Sequence, residues 1–194
     1  MKSDVYLFFG ASGVGKGTQV KLLKEYIENK INDEILTLDM GATLRATIEK
    51  GGYAGKKIDS IISQGNFLPS TVPVYFMYDF LMKNFTPDKF LIADGVVRSE
   101  VQARAFHEAM YFFEHEDYKI IFIKLSDEEI TRRLLKRGRD DDTEEGIKNR
   151  IKLYKEQVFP LLDLFNKWGK DIIEIDGSPS IDEVQKDILS KLKI

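Results

Sequence analysis

The chain of 194 residues is predicted to form a doubly wound α/β domain, a five-stranded parallel sheet covered by helices on both faces. Three observations predict it. Short runs rich in β-formers alternate with stretches of helical periodicity from one end to the other. The first such run leads into a glycine-rich loop and then a helix. No internal repeat, low-complexity tract or Pro/Gly-rich linker divides the sequence, so one domain spanning 1–194 is expected.

In order, Val5-Tyr6-Leu7-Phe8-Phe9 reads as the first strand. Gly10 to Gln19 forms the glycine loop, and the following helix shows Val20, Leu23 and Ile27 at helical spacing. Residues 34–38 read as the second strand, 89–94 as the third, 119–125 as the fourth and 171–175 as the fifth. Helical stretches run from Ser99 to Tyr111, Asp127 to Lys136, Thr143 to Asn166 and Ile181 to Leu192. The interval 40–85 is strand-free and mostly helical, an expected insertion across one mouth of the sheet.

Composition narrows the function classes. A formal charge of −3 leaves no basic footprint for nucleic acid. Zero cysteines remove disulfides, thiol nucleophiles and cysteine-based zinc sites together. The N-terminal apolar run stops at the glycine loop without a small-residue cleavage site, so it reads as a strand rather than a leader. No apolar segment approaches membrane-spanning length. A soluble cytoplasmic protein, monomeric and without a membrane partner, is expected.

The loop Gly10-Ala11-Ser12-Gly13-Val14-Gly15-Lys16-Gly17-Thr18 carries the strongest chemical signal. Between a strand and a helix, glycines let backbone N–H groups converge on phosphate oxygens, and the helix N-terminus favours the negative charge. Lys16 adds a mobile positive charge for the β and γ phosphates. Gly17 intervenes before Thr18, where the general pattern has Ser or Thr directly after the lysine. A magnesium ion would then be held mainly by phosphate oxygens and water.

Asp94 is expected at the carboxyl end of a buried strand, where ligands of such sheets collect. There it can hold magnesium-bound waters; capping a turn is the alternative. Arg98 and Gln102 follow, and the Gln102 amide can both donate to and accept from a base edge, or simply be a solvated helix residue. Arg133, Arg137, Arg139 and Arg150 suit phosphoryl transfer, because guanidinium forks neutralise spread oxygen charge bidentately. A basic helix end paired with Asp140-Asp141-Asp142 is the competing reading. His107 and His115 have no partner spacing for a metal or a base and read as surface residues. Trp168, Phe165 and Phe159 read as packing.

Gly-Lys-Gly-Thr-Gln, then Asp94-Gly95-Val96-Val97-Arg98 with Gln102, then Arg-Leu-Leu-Lys-Arg-Gly with Arg139 and Arg150, resembles the adenylate kinase family. The resemblance implies a P-loop NTPase fold with a helical monophosphate-binding insertion at about 40–69. It also implies a very short lid at about 137–142, on a core of 1–39, 86–136 and 143–194. It implies magnesium-dependent transfer of the ATP γ-phosphoryl group to a nucleoside monophosphate, AMP above all. Gly13, Val14, Gly15, Lys16, Gly17, Thr18, Arg133, Arg137 and Pro179 would bind ATP. Met40, Gly41, Arg45, Asn66, Phe67, Leu68, Gly95, Val96, Val97, Arg98, Gln102, Arg139 and Arg150 would bind AMP. Lys16, Arg98, Arg133, Arg139 and Arg150 would act on the transferring group, with Asp94 reaching magnesium through water and zinc playing no part.

The chain departs from the family pattern at Ser12 for proline, Met40 for threonine, Ala42 for aspartate and Val96-Val97 for Phe-Pro. A UMP/CMP kinase on the same fold and a nucleotide-binding switch without turnover are the alternatives.

Overall fold

The computed structural model describes residues 4–31, 34–139 and 141–194. The expected core and lid therefore include residues outside the description at 1–3, 32–33 and 140. The strands are β1 (Val5–Phe9), β2 (Leu36–Asp39), β3 (Leu91–Asp94), β4 (Lys119–Lys124) and β5 (Ile172–Asp176). They form one sheet in the order β2-β3-β1-β4-β5, and every pairing is parallel. β1 is buried at all five positions because helices cover both of its faces, which is why its sequence is an unbroken apolar run.

The two sides of the pleat feed two cores. Leu7 and Phe9 point into one, with Leu91, Phe106 and Phe165; Tyr6 and Phe8 point into the other, with Leu23, Ile92 and Ile188. α1 (Lys16–Ile31) follows the glycine loop and packs against α9 (Ile181–Leu192). α9 opens with a capping box in which Ser180 and Glu183 exchange hydrogen bonds.

Residues 40–85 fold as α2 (Met40–Glu49), α3 (Gly52–Ile62) and α4 (Thr71–Asn84), with no strand. α2 starts directly at the end of β2, and Asp39 caps it by accepting from Ala42 N–H at 2.9 Å. α5 (Glu100–Phe112) and α6 (Asp127–Arg137) begin on the serine caps Ser99 and Ser126. α6 ends at Gly138, whose φ of +64° is the left-handed geometry that terminates helices.

The single helix expected over 143–166 is instead interrupted. α7 (Glu144–Leu153) passes into a π-helical turn, Tyr154–Val158, before α8 (Leu161–Lys167). Pro160 is the cause. It has no N–H to give the carbonyl four residues back, and its ring crowds that carbonyl. The chain widens by one residue, so Phe159 N–H reaches Tyr154 O at 2.8 Å.

His115 corrects the surface expectation. It is 3% exposed, hydrogen-bonded through Nε2 to Pro87 O at 3.1 Å, with its ring against Phe85. His107 is half-buried and stacks on Trp168 with ring centroids 4.4 Å apart. Both histidines lie on the α5 side, where helix-exit polarity in the sequence hid the aromatic neighbours that cover them.

Candidate active site

The site is built at the carboxyl ends of the strands. Parallel register sets Asp39 opposite Asp94 and Phe8 opposite Asp94, so the last residues of β2 and β3 bring two carboxylates to one level. The glycine loop leaves β1 at the same level and turns into α1. Its geometry depends on glycine at two points. A Cβ at Gly10, where φ is +144°, would stand 2.6 Å from Ile123 O, and one at Gly13, φ +91°, would stand 2.8 Å from Leu134 Cγ.

Lys16 crosses back over this loop and donates to Gly10 O and Ala11 O, each at 2.9 Å. Desolvation lowers its pKa, Asp94 opposes that shift, and Arg98 and Arg137 add to it. Asp94 responds in the opposite sense: burial raises its pKa, against the pull of Lys16. Its Oδ1 is enclosed with no hydrogen-bond partner, and Oδ2 lies 3.9 Å from where a Cβ of Gly17 would be. Arg98 is likewise pushed down by burial, countered by Asp94.

The result is a cleft of about 860 Å³ in which cations outnumber carboxylates. Along one wall run Gly13, Val14, Gly15, Lys16, Gly17 and Thr18, with Pro179 at the far end. Gly41, Arg45, Gly95 and Arg98 form the other wall, with Asp39 and Asp94 on the floor. Arg133, Arg137 and Arg139 close it from α6 and the lid. A smaller cavity of about 30 Å³, room for about one water, adjoins it between Lys16, Phe67, Val97, Arg98 and Arg150.

The arginines are held in distinct ways. Arg133 braces two loops, reaching Val14 O at 3.4 Å and Gly177 O at 3.0 Å while Glu129 takes its Nε at 2.7 Å. Arg137 grips Asp142 with two bonds of 2.8 Å. Arg150, 9% exposed, bonds Asp141 Oδ2 at 2.9 Å and Asp142 Oδ1 at 2.8 Å. Burial works against the charge of Asp142, yet the bonds from Arg137 and Arg150 hold its pKa below the usual value. Arg139 is depressed by burial and by the neighbouring Arg137 and Arg45. Asp141 and Asp142 thus do pair with Arg150, and Asp142 with Arg137 as well, as the competing sequence reading has it for the acidic run, while Arg137 also lines the cleft.

A family model described as adenylate kinase matches residues 8–170 of the chain. The adenylate kinase of Prochlorococcus marinus (strain MIT 9211) is 31% identical over 194 residues, covering 99% of this chain and 98% of that protein. The chain belongs to the adenylate kinase family. It is therefore a phosphotransferase, a nucleoside monophosphate kinase, and its sheet of five parallel strands is the family's P-loop α/β fold. The adenylate kinase of Leptospira biflexa serovar Patoc (strain Patoc 1 / Ames) is 32% identical over 190 residues, with 96% of this chain and 98% of that protein covered. The UMP-CMP kinase 3 of Oryza sativa subsp. japonica is 34% identical over 189 residues, with 96% and 84% covered.

Some expected acceptor residues of the kinase lie back from the cleft surface. Met40, Val96 and Leu68 are buried, and Asn66 is turned toward α7. Gln102 is 3% exposed, and its Oε1 accepts Arg98 N–H at 2.7 Å. Since the partner is an N–H, that side of the amide must be the oxygen, and only its NH₂ remains to address a ligand. Asp39 also lines the cleft, and the sequence reading passed it over. Its signal was there, an acidic residue ending the second strand as Asp94 ends the third. Phe67 was expected for its backbone, yet its ring also meets the Arg98 guanidinium at 5.6 Å.

Proposed function

We propose that the protein transfers the γ-phosphoryl group of ATP reversibly to AMP, giving two ADP. The observation that carries this reading is the convergence of Lys16, Arg45, Arg98, Arg133, Arg137 and Arg139 on one cleft floored by Asp39 and Asp94. A switch without turnover has no need of charge clamps at both ends of its pocket.

The acceptor phosphate is already nucleophilic, so the task is alignment and charge dispersal rather than base catalysis. In this reading the phosphate loop and Lys16 hold the ATP phosphates, and Arg133, Arg137 and Pro179 frame that nucleotide. Arg45 anchors the acceptor phosphate beside Gly41. Met40 backs this seat, and the 66–68 and 95–97 loops line the nucleoside. Arg98, Arg139 and Arg150 then gather on the transferring oxygens. Arg137 and Arg150 exchange their carboxylate partners for phosphate as the lid region 137–142 and the insertion 40–69 fold inward.

Base choice follows from Gln102. With Oε1 taken by Arg98 N–H, its NH₂ can only donate, and adenine N1 accepts there. Uracil and guanine present an N–H at the corresponding edge, so they meet donor with donor. This supports AMP over UMP and GMP.

A divalent cation fits the donor set in one manner. Among the described residues no cluster of three or more His, Cys, Asp or Glu could cage a metal. Asp94, which lines the cleft beside Lys16 and Gly17, is suited to waters on a phosphate-bound Mg²⁺, which would supply charge neutralisation between the phosphates. We place the enzyme in the cytoplasm as a monomer, a reading supported by a cleft that one chain completes.

A coupled assay with Mg-ATP and AMP, UMP, CMP, GMP or dTMP as acceptors tests this reading. AMP should give the highest kcat/KM. Faster turnover of UMP would overturn the acceptor assignment, and no turnover with any acceptor would overturn the kinase mechanism.

A further inference from the structure

The loop that follows α3 is seated on α7, the helix that carries Arg150. Gly65 has φ +74°, and a Cβ there would stand 2.4 Å from Gly146 O and 3.0 Å from Gly146 Cα. The two backbones touch with no side chain between them. Beside that contact Asn149 Nδ2 donates to Gln64 O at 3.2 Å and to Asn66 Oδ1 at 2.9 Å. Asn66 Nδ2 in turn reaches Gln64 Oε1 at 3.3 Å. The same Gly146 carbonyl on which Gly65 rests accepts from Arg150 Nε at 3.4 Å.

We propose that Asn149 is a positioning residue for the acceptor, fixing the 64–68 loop against the helix that presents Arg150. The inference rests on the reading that 66–68 lines the monophosphate nucleoside. Among the described residues the hydrogen bonds of the Asn149 side chain go to Gln64 and Asn66, not to the phosphate loop or the Arg133–Gly177 brace. Its hydrogen bonds are exposed and span more than eighty positions of sequence, so they secure a placement rather than fill a core. One helix thereby sets both the wall of the acceptor site and the guanidinium that meets its phosphate. A nucleoside seated on the loop is thereby tied to the helix whose Arg150 exchanges Asp141 and Asp142 for its phosphate.

The test is Asn149→Ala in the full chain, with KM for each substrate and kcat measured separately. Loss of exposed hydrogen bonds near 1 kcal/mol should raise KM for AMP about three- to tenfold. KM for ATP should stay within about twofold, and the melting temperature should hold. Asn66→Ala should shift KM for AMP in the same direction, and the double variant should add little to the larger single effect. An unchanged KM for AMP, or equal rises for ATP and AMP, would overturn the proposal. If wild type turns over another monophosphate but not AMP, only the acceptor reading fails, and the split is read on that monophosphate. If wild type turns over none, both fall.

Discussion

Arg150 Nη2 and Asp142 Oδ1 stand 2.8 Å apart, and the Asp142 side chain is fully enclosed. Arg137 binds the same carboxylate from the end of α6, so one acid ties two guanidinium groups together. A buried carboxylate with two guanidinium partners is costly to leave with only one. In the proposed mechanism this pairing holds until phosphate oxygens replace it.

Asp142→Asn should lower stability at pH 7 by about 1.5–3 kcal/mol, the range for hydrogen bonds to charged groups. The folded-state pKa of Asp142 lies below its ordinary value of 3.8, so its stabilisation is complete above that value. It is lost as pH falls through the folded-state pKa. Thermal melts of both proteins from pH 7 downward should show the gap closing only at the acid end; a gap independent of pH would refute the pairing.

Lys16→Met should cost about 2.7–4 kcal/mol of transition-state stabilisation, a fall of roughly 10²–10³ in kcat, with circular dichroism unchanged. Among the described residues Lys16 bonds only carbonyls of its own loop, so its removal spares the core. Near-normal turnover with intact structure would sink the phosphate-loop assignment.

Arg139→Ala and Arg150→Ala should both lower kcat by about tenfold or more while changing nucleotide dissociation constants less. Their effects should be non-additive, since both address one developing charge. Arg150→Ala should also depress the melting temperature, because Asp142 then loses one of its two guanidinium partners. Single-turnover rates with each variant decide the matter; unchanged rates would reduce these arginines to surface partners of the acidic run.

Gln102→Ala should flatten the preference among acceptor bases by about five- to tenfold, with ATP affinity unchanged, as one discriminating hydrogen bond is lost. The comparison is kcat/KM for AMP against UMP and GMP. A variant as selective as wild type would show that the base is read elsewhere.

The glycine loop, the strand order of chemistry and the arginine set were legible in sequence because each rests on local residue identity and spacing. Phe8, Asp39 and Asp94 show the limit. Their alignment is a matter of parallel register between strands far apart in the chain, so the sequence reading passed over Asp39. Gln102 shows another limit, since the backbone N–H that claims its oxygen depends on how the turn after β3 folds back. His115 was misplaced because its covering partners, Phe85 and Pro87, come from another element.

Pro160 leaves a mark on the mechanics of the molecule. The helical ladder loses a rung there, and the Tyr154–Val158 turn is already wider than an α-helix. α8 is anchored downstream by Phe165, which is fully buried. α7, bearing Arg150, is held to the core by Ile147 and continues into that anchor through this widened turn, so a change of angle between α7 and α8 is taken up at Tyr154–Pro160. Amide hydrogen exchange would show this directly, with faster exchange across 155–159 than across 162–166; uniform protection through both would mean that α7 and α8 move as one rod.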